Sequence, residues 1–346
     1  SEIIHDPRVN EDLAQRGIRF IYDSDGERQI DESEISSEEV VLIPAFGTTL
    51  EIEQSLQRSG IDTTTQEFRE HFDTTCPFVS KVWDRGEELG EEGYTIVIHG
   101  KFRHEETQAT HSHTKEHGKT LVVLDRDEAH QVADCIVGRM SNEAFRERFS
   151  DKCSSGFDPE TDLQRIAVVN QTTMLAEETQ EVARILREAL LERFGDDDPG
   201  HHFADTNDTL CYATNWNQNA TKALLDARPH LAVVVGGYNS SNTSHLVEIC
   251  EQVMPSFLIS SADELQSADR IRHFDIHRKE CVETENWLPR EVPTRIAITS
   301  GASCPDVLMN AVFERIAGYY GYGPEVIASS LECLAVYEPA AVSESS

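Results

Sequence analysis

The chain has 346 residues, 38% of them hydrophobic, so it is long enough to bury more than one compact core. Its 63 acidic residues outnumber 30 basic ones, and the net charge of -33 argues against nonspecific binding to nucleic acid or to an anionic membrane. Neither a bilayer-spanning apolar run nor a signal peptide is present, so we expect a cytoplasmic protein without a membrane partner. Eight cysteines lack a disulfide-like spacing, and we expect most of them to be reduced.

Apolar, β-branched runs alternate with helical patterns, which is typical of parallel strands joined by helices in an α/β protein. Several helices begin at a proline or a capping residue. The tail from residue 318 is predicted to be irregular. In chain order we predict strand 40–43, helix 77–89, strand 94–98, strand 166–169, helix 176–194, helix 219–227, strand 231–235, helix 243–254, strand 296–299 and helix 305–316.

Hydroxyl and amide side chains follow three of these strands, in loops that begin helices. Because the carboxyl ends of parallel strands share one edge of a sheet, such loops converge on a site. Backbone N–H groups at helix starts bind phosphate, and short polar side chains complete its coordination. Capping explains any single loop, but three together favour an anion site, and the absence of GxGxxG or a Walker A lysine argues against a nucleotide. The residues are Thr172 and Thr173, then Ser240, Ser241 and Asn242, then Ser300 and Ser303.

A histidine and a carboxylate follow the strand at 94–98. His104 and Glu106 lie two residues apart, where an imidazole and a carboxyl group can transfer protons. Three further histidines, His111, His113 and His117, lack the HExxH spacing that puts two zinc ligands on one helical face. We interpret these three as surface histidines.

Three cysteines precede predicted helices. Cys76 stands directly before Pro77, a position that stabilises a thiolate and suits ligation of a metal or cluster. Cys211 is placed similarly, and Cys304 repeats the Cys-Pro pair. An inert buried cysteine is the alternative for each.

Six blocks carry most of these residues. In order they read DTTCPFVSKVW (73–83), HGKFRHEETQAT (99–110), NQTTM (170–174), NDTLCYAT (207–214), GGYNSSNTSHL (236–246) and TSGASCPDVL (299–308). In content and order they resemble the 4-hydroxy-3-methylbut-2-enyl diphosphate reductase (LytB/IspH) family. The likeness extends from EIIH at residues 2–5 to about residue 316, and PAFG with NQTTM is similar to the longer, plant-type branch.

The resemblance implies an α/β trefoil of three lobes, each a small, mainly parallel sheet flanked by helices, around a central iron-sulfur site. We expect lobes at 1–75, 76–205 and 206–300, with a C-terminal helix and tail at 301–346 that return toward the first lobe. The implied function is reductive dehydroxylation of 4-hydroxy-3-methylbut-2-enyl diphosphate to isopentenyl and dimethylallyl diphosphate, the last step of the methylerythritol phosphate route. A ferredoxin- or flavodoxin-type protein is the implied electron donor.

The resemblance also implies residue roles. Cys76 and Cys211 match two of the three cysteines that hold a 4Fe-4S cluster. Glu106 matches the carboxylate that delivers a proton as the substrate hydroxyl leaves as water, and Thr172 matches the hydroxyl that positions substrate and relays protons. The residues that match the diphosphate site are His5, His104, Ser240, Asn242 and Ser303, with Ser241 assisting.

Two departures from the family pattern stand out. Phe46 occupies a position where many relatives have a second diphosphate-binding histidine. The family's first cluster cysteine lies upstream of EIIH, and no cysteine precedes Cys76 here, so we expect an N-terminally truncated chain. The alternatives are Cys304 as a replacement ligand or a degenerate, non-redox diphosphate-binding protein without a complete cluster. A zinc-dependent hydrolase that uses Cys76, Cys211 and the histidines is the third hypothesis.

Overall fold

The computed structural model describes residues 7–22, 28–31, 34–195, 199–204, 206, 209, 211–290 and 293–335. The chain divides into two compact units, Ser1–Trp216 and Asn217–Ser346. Within the described ranges, no helix is both long enough and apolar enough to cross a membrane.

The helices are α1 (Pro7–Gln15), α2 (Leu50–Arg58), α3 (Gln66–His71), α4 (Pro77–Glu91), α5 (Glu105–Thr114), α6 (Arg126–Ile136), α7 (Asn142–Phe149), α8 (Pro159–Asp162), α9 (Ala176–Phe194), α10 (Pro199–His202), α11 (Tyr212–Asp226), α12 (Ser241–Glu251), α13 (Asp306–Tyr319) and α14 (Pro324–Ala335). The strands are β1 (Thr95–His99), β2 (Thr120–Val123), β3 (Ile166–Asn170), β4 (Phe203–Ala204), β5 (Leu231–Val235), β6 (Ser256–Ile259), β7 (Arg270–Asp275), β8 (Glu280–Glu285) and β9 (Ile296–Ser300).

The first unit contains a fully parallel sheet with the strand order β2-β1-β3-β4. Alternate residues of its strands enter two apolar clusters, one on each face. Val97 and Val168 pack with residues of α6 and α9, whereas Ile96 and Ile98 pack with residues of α4. Burial of each such side chain contributes roughly 1.5–3 kcal/mol, so helices must cover both faces of this apolar sheet. The polar loops at its carboxyl edge therefore start from a rigid frame.

The segment before α4 has a small core of its own, which includes Ile43, Leu56 and Phe68. The strand predicted over residues 40–43 is wrong, because only Ile43 pairs, through a single parallel bridge to Asp73. Val40 is 75% exposed, so the apolar run does not bury the two faces that a central strand would.

The second unit contains a mixed sheet with the order β8-β7-β6-β5-β9. Strands β5, β6 and β9 are parallel, while β7 and β8 form an antiparallel hairpin at one edge. Helices also flank this mixed sheet, and together the two units confirm the α/β class predicted from the sequence. The division into three lobes stays a prediction.

Most predicted helices are present, with differences at their ends. Helix α9 has the predicted bounds, and α4, α12 and α13 differ by a few residues. Helix α11 begins at Tyr212 rather than at 219, because its buried stripe is the polar set Thr214, Gln218 and Thr221, which hydrophobic periodicity does not reveal. The prediction of an irregular tail is wrong over residues 324–335, which form α14 from Pro324, a residue suited to the first turn of a helix. Residues 336–346 lie outside the described residues.

Candidate functional site

His104 caps the start of α5, directly beyond β1. Its Nδ1 atom accepts a hydrogen bond from the backbone N–H of Glu106 at 3.2 Å. A backbone N–H can only donate, so Nδ1 carries no proton and a neutral His104 ring carries its proton on Nε2. The ring is buried, and Phe46 packs against it edge-on with centroids 5.7 Å apart. His104 is therefore held with Nε2 as a hydrogen-bond donor.

Glu106 lies in the first turn of α5 and is 2% exposed. One carboxyl oxygen accepts from the backbone N–H of Thr172, and the other accepts from the Thr172 hydroxyl at 2.9 Å. Burial raises the pKa of Glu106 to about 7, against the opposing effect of the two hydrogen bonds from Thr172. The carboxyl group is thus able to donate a proton at neutral pH.

Gln171 fixes the loop that places Thr172 beside Glu106. Its side-chain oxygen accepts from the backbone N–H of Lys101 and from the Thr107 hydroxyl, both at 3.1 Å. A Cβ on Gly100 would lie 2.8 Å from the Thr107 hydroxyl oxygen and 2.9 Å from the Gln171 Cβ, so only glycine fits between the two loops. The loops after β1 and β3 are therefore locked together at the carboxyl edge of the first sheet.

Cys76 lies at the same edge, at the start of α4. Helix α4 packs on β1 and joins it through a short turn, so it runs antiparallel to β1 and its first residue points to the strand's carboxyl end. The Cys76 backbone N–H donates to the carbonyl of Ala45 at 3.0 Å, and its thiol makes no capping hydrogen bond. The thiol therefore lies at the start of a helix without a capping bond, where it can serve as a ligand.

Cys211 lies two residues after Thr209, which binds the last residue of β3. The Thr209 hydroxyl, two residues upstream, donates to the side-chain oxygen of Asn170 at 2.8 Å, and Asn170 is the last residue of β3. Cys211 is 9% exposed and immediately precedes α11. Cys76, Cys211 and Glu106 are thus all brought to the carboxyl edge of the first sheet.

Other cysteines in the described part of the chain have different surroundings. Cys304 packs against the apolar core of the second unit, and its sulfur lies 3.7 Å from the Pro305 carbonyl oxygen. Burial raises the pKa of the Cys153 thiol to about 12 and that of Cys250 to about 11. Burial thus disfavours a thiolate at Cys153 and at Cys250, so neither is a candidate cluster ligand.

The loop after β5 carries the residues of the second unit that are predicted to bind an anion. Ser240 caps α12, and its hydroxyl oxygen accepts from the backbone N–H of Thr243 at 3.3 Å. Asn242 is 4% exposed, yet neither its amide nitrogen nor its amide oxygen has a partner within the described residues. An unpaired buried amide costs roughly 1–3 kcal/mol, which makes this position a candidate contact for a ligand.

Thr243 brings this loop and the loop after β9 together. A Cβ on Gly236, whose φ is +158°, would lie 2.6 Å from the Thr243 hydroxyl oxygen, and a Cβ on Gly301 would lie 2.2 Å from it. Both glycines are required for this close approach. Ser303 follows Gly301 and is exposed, whereas Ser241 is buried at the first residue of α12. The carboxyl edge of the second sheet therefore collects Ser240, Ser241, Asn242 and Ser303.

Two of the three histidines interpreted as surface residues, His111 and His113, are half-buried in α5, so that interpretation was wrong for them. Burial lowers the pKa of His111 to about 4. His113 stacks on Trp83 with centroids 3.8 Å apart, and its Nε2 lies 3.1 Å from the Thr48 carbonyl oxygen. These partners lie far away in the sequence, so residue spacing could not reveal them. His5, a predicted diphosphate ligand, lies outside the described residues.

Comparisons with known proteins agree on one family. The family model described as LytB protein matches residues 1–317. A protein of Gloeobacter violaceus named 4-hydroxy-3-methylbut-2-enyl diphosphate reductase is 41% identical over 326 residues, which are 93% of this chain and 75% of that protein. One of the same name from Synechococcus sp. (strain CC9311) is 42% identical over 317 residues, 91% of this chain and 76% of its own.

Solved structures show the same fold. The E-1-hydroxy-2-methyl-but-2-enyl-4-diphosphate reductase from Plasmodium falciparum matches with a TM-score of 0.61 and 19% identity, covering 94% of this chain and 78% of that one. A structure of (E)-4-hydroxy-3-methyl-but-2-enyl diphosphate reductase, the terminal enzyme of the non-mevalonate pathway, matches with a TM-score of 0.50 and 23% identity, covering 92% and 86%. At these identities the likeness supports the fold class alone.

Proposed function

Because this chain belongs to the LytB protein family, we propose that Glu106 and Thr172 deliver a proton in the reductive dehydroxylation of 4-hydroxy-3-methylbut-2-enyl diphosphate. The chain is an oxidoreductase of isoprenoid precursor synthesis, and the non-redox alternative is not favoured. The observation that carries the assignment of roles is the buried Glu106 carboxyl group, bonded through both oxygens to Thr172.

The reaction consumes two electrons and two protons. The carbon–oxygen bond to the substrate hydroxyl breaks, and the oxygen leaves as water after taking up one proton. The second proton adds to one end of the allyl group, which gives isopentenyl or dimethylallyl diphosphate. A hydroxyl is a poor leaving group unless an acid protonates it, so the site needs a proton donor within hydrogen-bond reach.

Glu106 meets that need. With a pKa of about 7, half of the carboxyl groups carry a proton at neutral pH. The Thr172 backbone N–H holds one oxygen as an acceptor, so the acidic proton resides on the oxygen that faces the Thr172 hydroxyl. In the protonated state this oxygen donates to the Thr172 hydroxyl instead of accepting from it. As the hydroxyl accepts that proton, it passes its own to the departing substrate hydroxyl, so Thr172 serves as a relay.

Neutral donors bind the diphosphate in this proposal. His104 presents a protonated Nε2, and because the Ser240 oxygen accepts from the Thr243 N–H, its own O–H proton is left to donate to an anion. The Asn242 side-chain N–H group gains an acceptor when an anion binds. Preorganised donors in a buried site stabilise charge strongly even without lysine or arginine. By family resemblance, Ser241, Ser303 and His5 complete the set.

The family uses a 4Fe-4S cluster, and the chemistry of Cys76 and Cys211 fits it. Both thiols lie at helix starts on the edge that holds Glu106, and they would serve as two of its ligands. When bound, the cluster supplies the electrons singly and a Lewis-acidic iron. The family pattern includes a third thiolate, and no cysteine precedes Cys76 in this sequence. We propose a ferredoxin- or flavodoxin-type protein as the electron donor.

Anaerobic reconstitution with iron and sulfide, followed by metal analysis and product identification with a chemical reductant, tests the proposal. We expect iron and acid-labile sulfide to bind, and isopentenyl and dimethylallyl diphosphate to form. Cys76→Ser and Cys211→Ser should lower both iron and sulfide. Cys304→Ser is the matched control and should leave them unchanged, because Cys304 packs in an apolar core. Stoichiometric zinc without sulfide contradicts the proposal, and pyrophosphate binding without any cluster supports the non-redox alternative.

A further inference from the structure

We propose that Tyr238 is a positioning residue that orients the diphosphate-binding start of α12 through its side-chain contacts with Glu264 and Phe274. The inference rests on the proposed function, because it concerns how the loop after β5 is held ready for the anion. Tyr238 does not touch the ligand in this proposal. It acts through Ser240 and Asn242.

Tyr238 occupies a tight turn immediately before the binding residues. The backbone N–H of Ser240 donates to the carbonyl of Gly237 at 3.1 Å, which closes a turn with Tyr238 and Asn239 at its two central positions. Asn239 is exposed, whereas the Tyr238 ring is half-buried. Because Ser240 is the last residue of the turn and the cap of α12, a rotation of the turn would displace the Ser240 hydroxyl.

The tip and the face of the Tyr238 ring are both anchored. Its hydroxyl donates to one carboxylate oxygen of Glu264, and the other oxygen accepts from the backbone N–H of Ser260 at 2.6 Å. The ring stacks on Phe274 with centroids 4.7 Å apart and planes 8° from parallel. Burial and the neighbouring carboxylate raise the pKa of Tyr238, so the phenol keeps the proton that it donates.

These anchors join the turn to structure beyond its own strand. Ser260 directly follows β6, and Phe274 lies in β7, where it pairs with Leu258 of β6. On the opposite side, Thr243 is packed between Gly236 and Gly301. The start of α12 is thus fixed from two sides, by the glycine contacts at Thr243 and by the Tyr238 side chain. Binding groups held in place before the ligand arrives lose less freedom when they bind it.

Calorimetric titration with inorganic pyrophosphate tests the inference in Tyr238→Phe, which keeps the stacked ring and removes the hydroxyl. Loss of this one hydrogen bond should weaken pyrophosphate binding by about five-fold. Glu264→Gln retains an acceptor oxygen for the Tyr238 hydroxyl, so this variant should bind pyrophosphate more tightly than Glu264→Ala does. The double variant Tyr238→Phe/Glu264→Ala should bind no more weakly than Glu264→Ala alone, because the two residues act through one contact.

Tyr320→Phe is the matched control in the same unit. It also removes a tyrosine hydroxyl, one that donates to the Pro289 carbonyl at 2.7 Å. Both variants should lower the melting temperature similarly, but only Tyr238→Phe should lose pyrophosphate affinity. Equal affinity in the two variants, with wild-type binding intact, overturns the role of Tyr238 and leaves the proposed function standing. If the wild-type protein binds no pyrophosphate, the proposed function fails and this inference fails with it.

Discussion

The starts of α5 and α12 carry the central polar residues of the two units, but they differ in how those residues are paired. At α5, both oxygens of Glu106 accept hydrogen bonds from Thr172. At α12, both side-chain atoms of Asn242 are buried without a partner among the described residues. Burial lets the Glu106 carboxyl group hold a proton in spite of these hydrogen bonds, whereas the unpaired N–H group of Asn242 gains free energy when an anion arrives. The two helix starts are thus suited to different tasks, proton delivery and anion binding.

Helix position alone does not determine these tasks. The positive end of a helix stabilises a carboxylate and lowers its pKa, yet burial raises the pKa of Glu106 to about 7. Burial thus outweighs the dipole and the hydrogen bonds at this site. The same backbone geometry at α12 presents neutral groups instead, which keep their hydrogen-bonding capacity at any physiological pH.

The largest expected effect is on turnover in Glu106→Gln. Glutamine keeps the shape and polarity but has no acidic proton, so kcat should fall by about 10²–10⁴-fold while substrate binding is retained. Anaerobic assays of the reconstituted protein measure this fall in kcat. Glu128→Gln is the matched control, because Glu128 is also a largely buried carboxylate in the first turn of a helix, bonded to Leu124 and Lys152. Near-normal kcat in Glu106→Gln removes Glu106 from the mechanism.

The second effect concerns stability against pH. An unfolded Glu106 loses its proton near pH 4.5, whereas the folded carboxyl keeps it until about pH 7. Unfolding between these values releases a proton, so the free energy of unfolding falls as pH rises through this window and is constant above it. At about 1.4 kcal/mol per pKa unit, the wild-type protein should lose about 3 kcal/mol relative to Glu106→Gln between pH 4 and 8. Denaturant titrations at several pH values measure this difference, and equal pH dependence in both proteins contradicts it.

The third test separates binding from capping at α12. Asn242→Ala should weaken pyrophosphate binding about ten-fold without lowering stability, since it removes groups that are unpaired in the free protein. Ser240→Ala should lower the free energy of unfolding by about 1 kcal/mol as well, because it removes the bond to the Thr243 N–H. Calorimetry and thermal unfolding distinguish the two. Unchanged affinity with reduced stability in both variants supports a capping role alone.

The smallest expected effect is at Ser303. Its side chain is exposed in the loop after β9, so Ser303→Ala should weaken pyrophosphate binding only about three-fold and leave the melting temperature unchanged. Ser303→Thr retains the hydroxyl and serves as the control. If Ser303→Ala binds as tightly as the wild type, Ser303 is not part of the anion site.

The sequence predicted those parts of the fold that follow from local pattern. The apolar runs of β3 and β5 and the periodic helix α9 were recognisable because their buried residues are apolar. The hairpin of β7 and β8 was missed, since most of its side chains are not buried and it lacks an apolar run. Residues 40–43 have the composition of a strand but only one pairing residue.

In the site, too, the residues that belong to local motifs were predictable, whereas those that depend on distant contacts were not. His104, Glu106 and Thr172 were predicted from motifs, and the structure brings them together. The role of Gln171, which joins the loops after β1 and β3, depends on contacts with residues 64 and 70 positions away. The half-buried position of His113 depends likewise on Trp83 and Thr48. Spacing along the chain contains no signal for such partners.

The contrast between the two helix starts depends most directly on the protonation state of Glu106. Infrared difference spectroscopy during a pH titration detects a protonated carboxyl group, and the Glu106→Gln variant assigns its signal. We predict a carboxyl band that is lost with a midpoint near pH 7 in the wild-type protein and is missing from Glu106→Gln. A midpoint near 4.5, the ordinary value for glutamate, would contradict a Glu106 that holds its proton at neutral pH and with it the division between proton delivery and anion binding.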